Sequence, residues 1–179
     1  MKRSGTDSEA INYLIKQLGS NDGKTREKAR LKLVDIGKEA TQPLIKALSD
    51  KRNQVRWEAA KALGGIPDPG AIPPLVKALE DEVFDVRWLA AEALIANGLE
   101  SVGSLLEALV TGAGSLFLRE SAHHVITAIM RANERDPDIT ALLKPVVLAL
   151  DSTAPRTLVP TTAQNTLISW IDSLKINKP

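Results

Sequence analysis

The sequence predicts an all-α protein built from repeated helix pairs, and three observations predict it. First, two separate blocks recur at one offset. Pro43-Leu44-Ile45-Lys46-Ala47-Leu48 returns as Pro74-Leu75-Val76-Lys77-Ala78-Leu79, and Val55-Arg56-Trp57-Glu58-Ala59-Ala60-Lys61-Ala62-Leu63 returns as Val86-Arg87-Trp88-Leu89-Ala90-Ala91-Glu92-Ala93-Leu94, both 31 residues later. Second, the apolar residues of each block fall at helical spacing. Third, aromatics are only 3% of the 179 residues. Alanine and leucine must then fill the core, which suits closely packed helices rather than a β-sandwich. A period of this length marks units that bury their apolar faces only by stacking on neighbours.

Each unit reads as two helices. The first carries Leu44, Ile45 and Leu48 on one side, with Pro43 tolerated in its first turn. The polar turn Ser49-Asp50-Lys51-Arg52-Asn53 follows, and the second helix starts near Val55. Gly64-Gly65 and Pro67-Asp68-Pro69-Gly70 then break the chain. On a helical wheel Val55, Ala59, Ala60, Ala62 and Leu63 share one small, apolar face, and Trp57, Glu58 and Lys61 lie on the other. Small residues let helices approach to about 8–10 Å.

Weaker copies flank the strong ones. Thr25 to Leu33 stands at an offset of 30, Leu118 to Ile126 at an offset of 32, and a fifth copy, Val159 to Leu167, has Pro160 in place of the arginine. Helix pairs are thus predicted at about 8–36, 39–66, 70–97, 101–132 and 138–175, with Ser115 as an N-cap. They make one domain, 1–179, with repeats at about 8–37, 38–68, 69–98, 99–136 and 137–175. In the first copy Arg30 and Lys32 replace alanines of the packed face, which reads as the wet side of a terminal unit. Trp170 aligns with Ile66 and is expected in the core, and Tyr13 is expected to pack. Residues 1–6 and 176–179 are expected to be frayed tails.

Composition excludes several functions. There is no cysteine, hence no disulfide, thiolate metal site or cysteine nucleophile. No apolar run approaches the roughly 18 residues of a membrane span, and the first residues lack a signal-peptide core, so a cytoplasmic protein is expected. The phosphate-loop, nucleotide-fingerprint, G-x-S-x-G and H-E-x-x-H patterns are all absent. His123 and His124 point about 100° apart on a helix and cannot chelate one ion together. His124 falls on the wheel position of Lys61, with Glu120 one turn before it as a helical neighbour. No catalytic residue, metal or cofactor is assigned. Charge is asymmetric: residues 1–65 hold 14 Lys/Arg and 8 Asp/Glu, a balance of +6, and residues 66–179 hold 9 and 14, a balance of −5. Ordinary solvated surface accounts for that, or a basic end that favours an acidic partner.

The pattern Pro-Leu-Ile/Val-Lys-Ala-Leu-x-Asp followed by Val-Arg-x-x-Ala-Ala-x-Ala-Leu resembles the HEAT-like repeat, in the short form also found in bilin lyases. The resemblance runs over about residues 8–175 and is specific in the second and third repeats. It implies an α-solenoid, a right-handed superhelix of about five helix pairs, with the second helices lining its concave face. It also implies a hydrogen-bonded ladder between units, of an aspartate before each second helix and the arginine within it. Asp50/Arg56 and Asp81/Arg87 keep the spacing, whereas Ser20/Arg26 and Ala113/Arg119 lack the aspartate.

On that face the wheel gathers Trp57, Glu58, Lys61, Trp88, Leu89, Glu92, Glu120 and His124. The two tryptophans are one period apart and are expected side by side and open to water, while Phe84 and Phe117 read as local packing. Exposed tryptophan is enriched at binding hot spots. Mixed charge suits a protein or peptide partner better than a phosphate backbone, so nucleic acid is not expected. The leading reading is a non-enzymatic binding scaffold. A bilin-lyase-like subunit handling a linear tetrapyrrole or its carrier is the alternative, and a HEAT-like DNA glycosylase a third.

Overall fold

The computed structural model describes the backbone of residues 4–176 and the side chains of residues 8–173. All the regular structure there is helical, in five pairs. The pairs are α1 (Ser4–Gln17) with α2 (Gly23–Ile36), α3 (Thr41–Ala47) with α4 (Asn53–Gly64), and α5 (Ile72–Ala78) with α6 (Phe84–Ala96). They continue with α7 (Val102–Gly112) and α8 (Leu116–Ala132), then α9 (Pro137–Leu150) and α10 (Pro155–Ile176). The expected frayed tails at residues 1–3 and 177–179 lie outside the described residues. Residues 4–6 and 176, placed in the same expectation, are instead the first turn of α1 and the last residue of α10.

Local chemistry sets these boundaries. Asp22 accepts from Thr25 N–H at 2.9 Å, and Ser115, the expected N-cap, accepts from Leu118 N–H at 3.3 Å. Asp136 takes the Asp138 and Ile139 N–H groups in front of α9. Helix ends are closed in a second way by Asn97 and Asn133, whose side-chain amides donate to the carbonyls of Ala93 and Ile129, both at 2.8 Å. Gly37 and Gly98, with φ of 78° and 61°, turn the chain out of α2 and α6. A side chain at either would be strained by backbone conformation alone.

Four second helices are fixed to their turns by one arginine each. The Nη1 of Arg26, Arg56 and Arg87 donates to the carbonyl six residues earlier, on Ser20, Asp50 and Asp81, at 2.9, 3.0 and 2.8 Å. Arg119 does the same to Ala113. The bond is to backbone, so it survives in the two units that lack the aspartate. The aspartate side chain does something else. Asp50 and Asp81 each accept the N–H two residues on, at 2.9 Å in both cases, and Ser20 does so at 3.2 Å. The ladder between units forms from the second repeat to the third: Arg56 grips Asp81 of the next unit with Nε at 2.7 Å and Nη2 at 3.0 Å. Arg56 also reaches Glu82 at 3.1 Å. Asp50 is taken by Arg52, whose Nε and Nη2 both lie at 2.9 Å, and Arg26 turns elsewhere.

The chain divides into two compact units, Met1–Asn97 and Gly98–Pro179. In the first, α2, α4 and α6 pack successively as a row, with α1 and α3 neighbours behind them and α5 behind α6. Val55, Ala59, Ala60, Ala62 and Leu63 are all buried, as are Val86, Ala90, Ala91, Ala93 and Leu94 one period on. The approach is close: a Cβ on Gly64 would lie 3.6 Å from the Ala93 Cα. In the second unit the helices contact in a ring, α7 on α8, α8 on α9, α9 on α10 and α10 on α7. Val159, Ala163 and Trp170, the fifth-copy counterparts of Val55, Ala59 and Ile66, are buried there. Trp170 lies against Gly103 of α7.

Two corrections concern the first pair. Tyr13 does not pack; it is 62% exposed on α1. Arg30 is not on a wet side, its side chain being only 11% exposed, because α4 supplies a buried carboxylate for it.

Replacing Ala59 or Ala90 by leucine overpacks the α4–α6 approach and is expected to cost about 1–3 kcal/mol in urea unfolding. Trp170→Ala empties the second unit's core and is expected to cost about 3–5 kcal/mol. A pH effect follows from Asp50, whose pKa the Arg52 hydrogen bond lowers to about 2. A depressed carboxyl stabilises the folded state above its ordinary pKa of about 3.9 and stops doing so as pH falls through the folded value. The stability difference between wild type and Asp50→Asn is therefore expected to be constant from about pH 7 to 5 and to shrink between about 4 and 2.

Candidate functional site

The row α2–α4–α6 turns its alanine face inward and so turns Trp57 and Trp88 outward. Around Trp57 lies a cavity of about 500 Å³, walled by α2, α4 and the start of α6. Lys61, one turn after Trp57, sets its Nζ 4.7 Å from the ring centroid, and the Arg30 guanidinium of α2 stands at 5.9 Å. The indole is thus half-buried beneath two cations, in the geometry of cation–π attraction.

Glu58 departs from the predicted partner-facing set. It is buried, and its carboxylate takes Arg26 Nε at 3.3 Å and Arg30 Nη1 at 2.7 Å, with Gln54 at 3.5 Å. It ties α4 to α2 and is not offered to a partner. The wheel put it at the edge of the polar face, and only the arginines of the preceding unit decide its direction. The two arginines neutralise a carboxylate that would otherwise be costly to bury.

On α6, Trp88 stacks on Phe84 one turn before it, centroids 6.4 Å apart with 28° between the planes. Phe84 is 63% exposed and Trp88 47%. Phe84 is therefore part of an open aromatic pair, a correction to its reading as local packing. Phe117 is also exposed. The Arg87 guanidinium stands 5.5 Å from the Phe84 centroid. Leu89 is half-buried at the margin and Glu92 is exposed.

In the second unit, Glu120 is exposed and His124 half-buried, both on α8. His123 has a partner that its repeat position does not predict: its Nε2 lies 3.0 Å from Asp151 Oδ1, at the end of α9. Among the described residues no three His, Asp or Glu side chains gather in a way that holds a metal ion. No helix among them is long and apolar enough to cross a membrane.

Four of the fourteen Lys/Arg of residues 1–65 are seen in ion pairs within the protein. Arg26 and Arg30 meet Glu58, Arg52 meets Asp50, and Arg56 meets Asp81 and Glu82.

Comparison with known proteins agrees with this fold. Residues 41–127, from α3 to most of α8, match the family of HEAT repeats. No curated protein sequence matches. Among solved structures, one similar chain comes from the complex of CpcE and CpcF of phycocyanin lyase from Nostoc sp.. The TM-score is 0.57 at 22% identity, over 89% of this chain and 99% of that one. A designed armadillo repeat protein in complex with the peptide (KR)4 gives 0.43 at 21% identity, over 94% and 93%. An engineered protein gives 0.44 at 23%, over 93% and 83%. The fold is that of an α-solenoid of repeated helix pairs, and residues 41–127 of it match HEAT repeats.

Glu58→Ala strands two arginines beside the α2–α4 contact and is expected to cost about 3 kcal/mol, the lower end of what breaking a buried ion pair costs. Trp88→Ala removes an open ring and is expected to cost under about 1 kcal/mol. Urea unfolding of the two variants checks both values.

Proposed function

We propose that the protein is a non-enzymatic scaffold that holds a protein or peptide partner on the outward face of its second helices. The observation that carries this reading is the open aromatic pair of α6. Phe84 and Trp88 keep large ring areas in water while stacked on each other. Such area is expensive to leave open and is regained when a partner covers it. The half-buried Trp57, with Lys61 above it, extends the face onto α4. Leu89 and Glu92 border it, and Glu120 and His124 lie on the second helix of the fourth pair. Mixed charge around aromatic anchors is the usual make-up of a protein-binding surface.

The bilin-lyase-like role has the same fold behind it, and fold alone is a weak warrant for activity. Affinity capture from native lysate compares wild type with Trp57→Ala/Trp88→Ala. A partner retained by wild type and lost by a variant that still folds is the expected result. A coloured tetrapyrrole that copurifies with the protein would replace the scaffold reading with the lyase-like one. Equal capture by both proteins would remove the face from consideration.

A further inference from the structure

Resting on that reading, we infer that the cavity around Trp57 seats a carboxylate side chain of the partner, so that the bound segment is an acidic stretch of peptide. The ring already has its cations, with Lys61 Nζ at 4.7 Å and the Arg30 guanidinium at 5.9 Å from the centroid. A cationic side chain would have to displace Lys61 and then meet Arg30. Arg26 and Arg30 are held by Glu58 on the cavity wall. Lys61 is not held in this way; among the described residues it makes no ion pair. Its ammonium keeps three N–H donors, and the contact it makes is to a ring face. Two exposed carboxylates, Glu27 and Asp85, also line the cavity, and neither pairs with Lys61.

The surrounding charge agrees. α2 and α4, which wall the cavity, together hold seven Lys/Arg against three Asp/Glu, a balance of +4. The arginines among them are engaged by Glu58, Asp81 and Glu82. The lysines are not. Lys24, Lys28 and Lys32 follow one another at one-turn spacing on α2, are exposed, and make no ion pair among the described residues. Lys24 and Lys28 come directly after Gly23 and Glu27, which line the cavity. Leu31 beside them is 56% exposed. An acidic segment therefore meets Lys61 at the ring and Lys24 and Lys28 beyond it, with Leu31 to take an apolar side chain. Covering Lys61 with a neutral segment would remove water from its charge without compensation.

The test is calorimetric titration of the full chain with a synthetic peptide of alternating Glu and Gly, and with its Lys-Gly counterpart. The Glu-Gly peptide is expected to bind, more weakly as salt rises, and the Lys-Gly peptide is not. Affinity for the Glu-Gly peptide should fall at least about tenfold in Lys61→Glu, with the helical far-UV signal unchanged. Lys46→Glu makes the same change of charge at an exposed position of α3, which does not line the cavity. Its affinity should stay within about twofold of wild type. Should Lys61→Glu fail to fold, Lys61→Gln gives the same comparison in milder form. Equal binding of both peptides, no binding of the Glu-Gly peptide, or a loss in Lys61→Glu no larger than in Lys46→Glu overturns the proposal. Lysate capture separates it from the reading beneath it. A partner lost with Trp57→Ala/Trp88→Ala but kept by Lys61→Glu leaves the face a docking surface and overturns only its acidic class. A partner kept by both variants overturns the docking surface and the proposal with it.

Discussion

Everything on the outward face depends on how each second helix is held to the turn before it, and an arginine does that holding. Arg26, Arg56, Arg87 and Arg119 reach back to the carbonyl six residues earlier. Those carbonyls lie just past the first helix, where no helical N–H meets them. Cationic donors suit that place, because the end of a helix carries partial negative charge. The bond fixes the rotation of the second helix about its axis. That rotation sends the alanine side inward and the tryptophan side outward.

The second constraint is closeness. Alanines on α4 and α6 let the backbones approach until Gly64 nearly touches Ala93, and such a face leaves no room for large side chains. Bulky residues must stand on the opposite side or at the rim, which is where Phe84, Trp57 and Trp88 are found. Charge follows the same logic. Where units meet, Glu58 lies between Arg26 and Arg30, and Arg56 spans to Asp81. Asp85 and Glu92 are exposed on the same helix as Phe84 and Trp88.

The period made the fold readable. An offset of 31 residues and a face of small residues were enough to predict the helix pairs and the buried set around Ala59 and Ala90. What was not readable depended on a second unit. Glu58 looks exposed on its own wheel, and only Arg26 and Arg30 from α2 turn it into a buried clamp. Arg30 looked like an end cap for the same reason. The ladder was expected to need an aspartate in each unit, yet the shared bond uses a carbonyl, which every residue type supplies. The pairing of His123 with Asp151 joins α8 to the end of α9, a contact with no echo in the repeat. Nor does the period foretell α10 packing on α7. In the candidate site, Trp57 and Trp88 were legible because they repeat. Phe84 was not, because its neighbour at one turn, Trp88, faces water rather than core.

The most direct test is a double-mutant cycle on Arg56 and Asp81, with unfolding free energies of both single variants and the double variant. If this pair joins one unit to the next, the coupling should exceed about 1.5 kcal/mol, as expected for residues in one buried ion-pair network. Strict additivity, within about 0.5 kcal/mol, would mean that alanine packing alone holds α4 to α6, and would contradict the account.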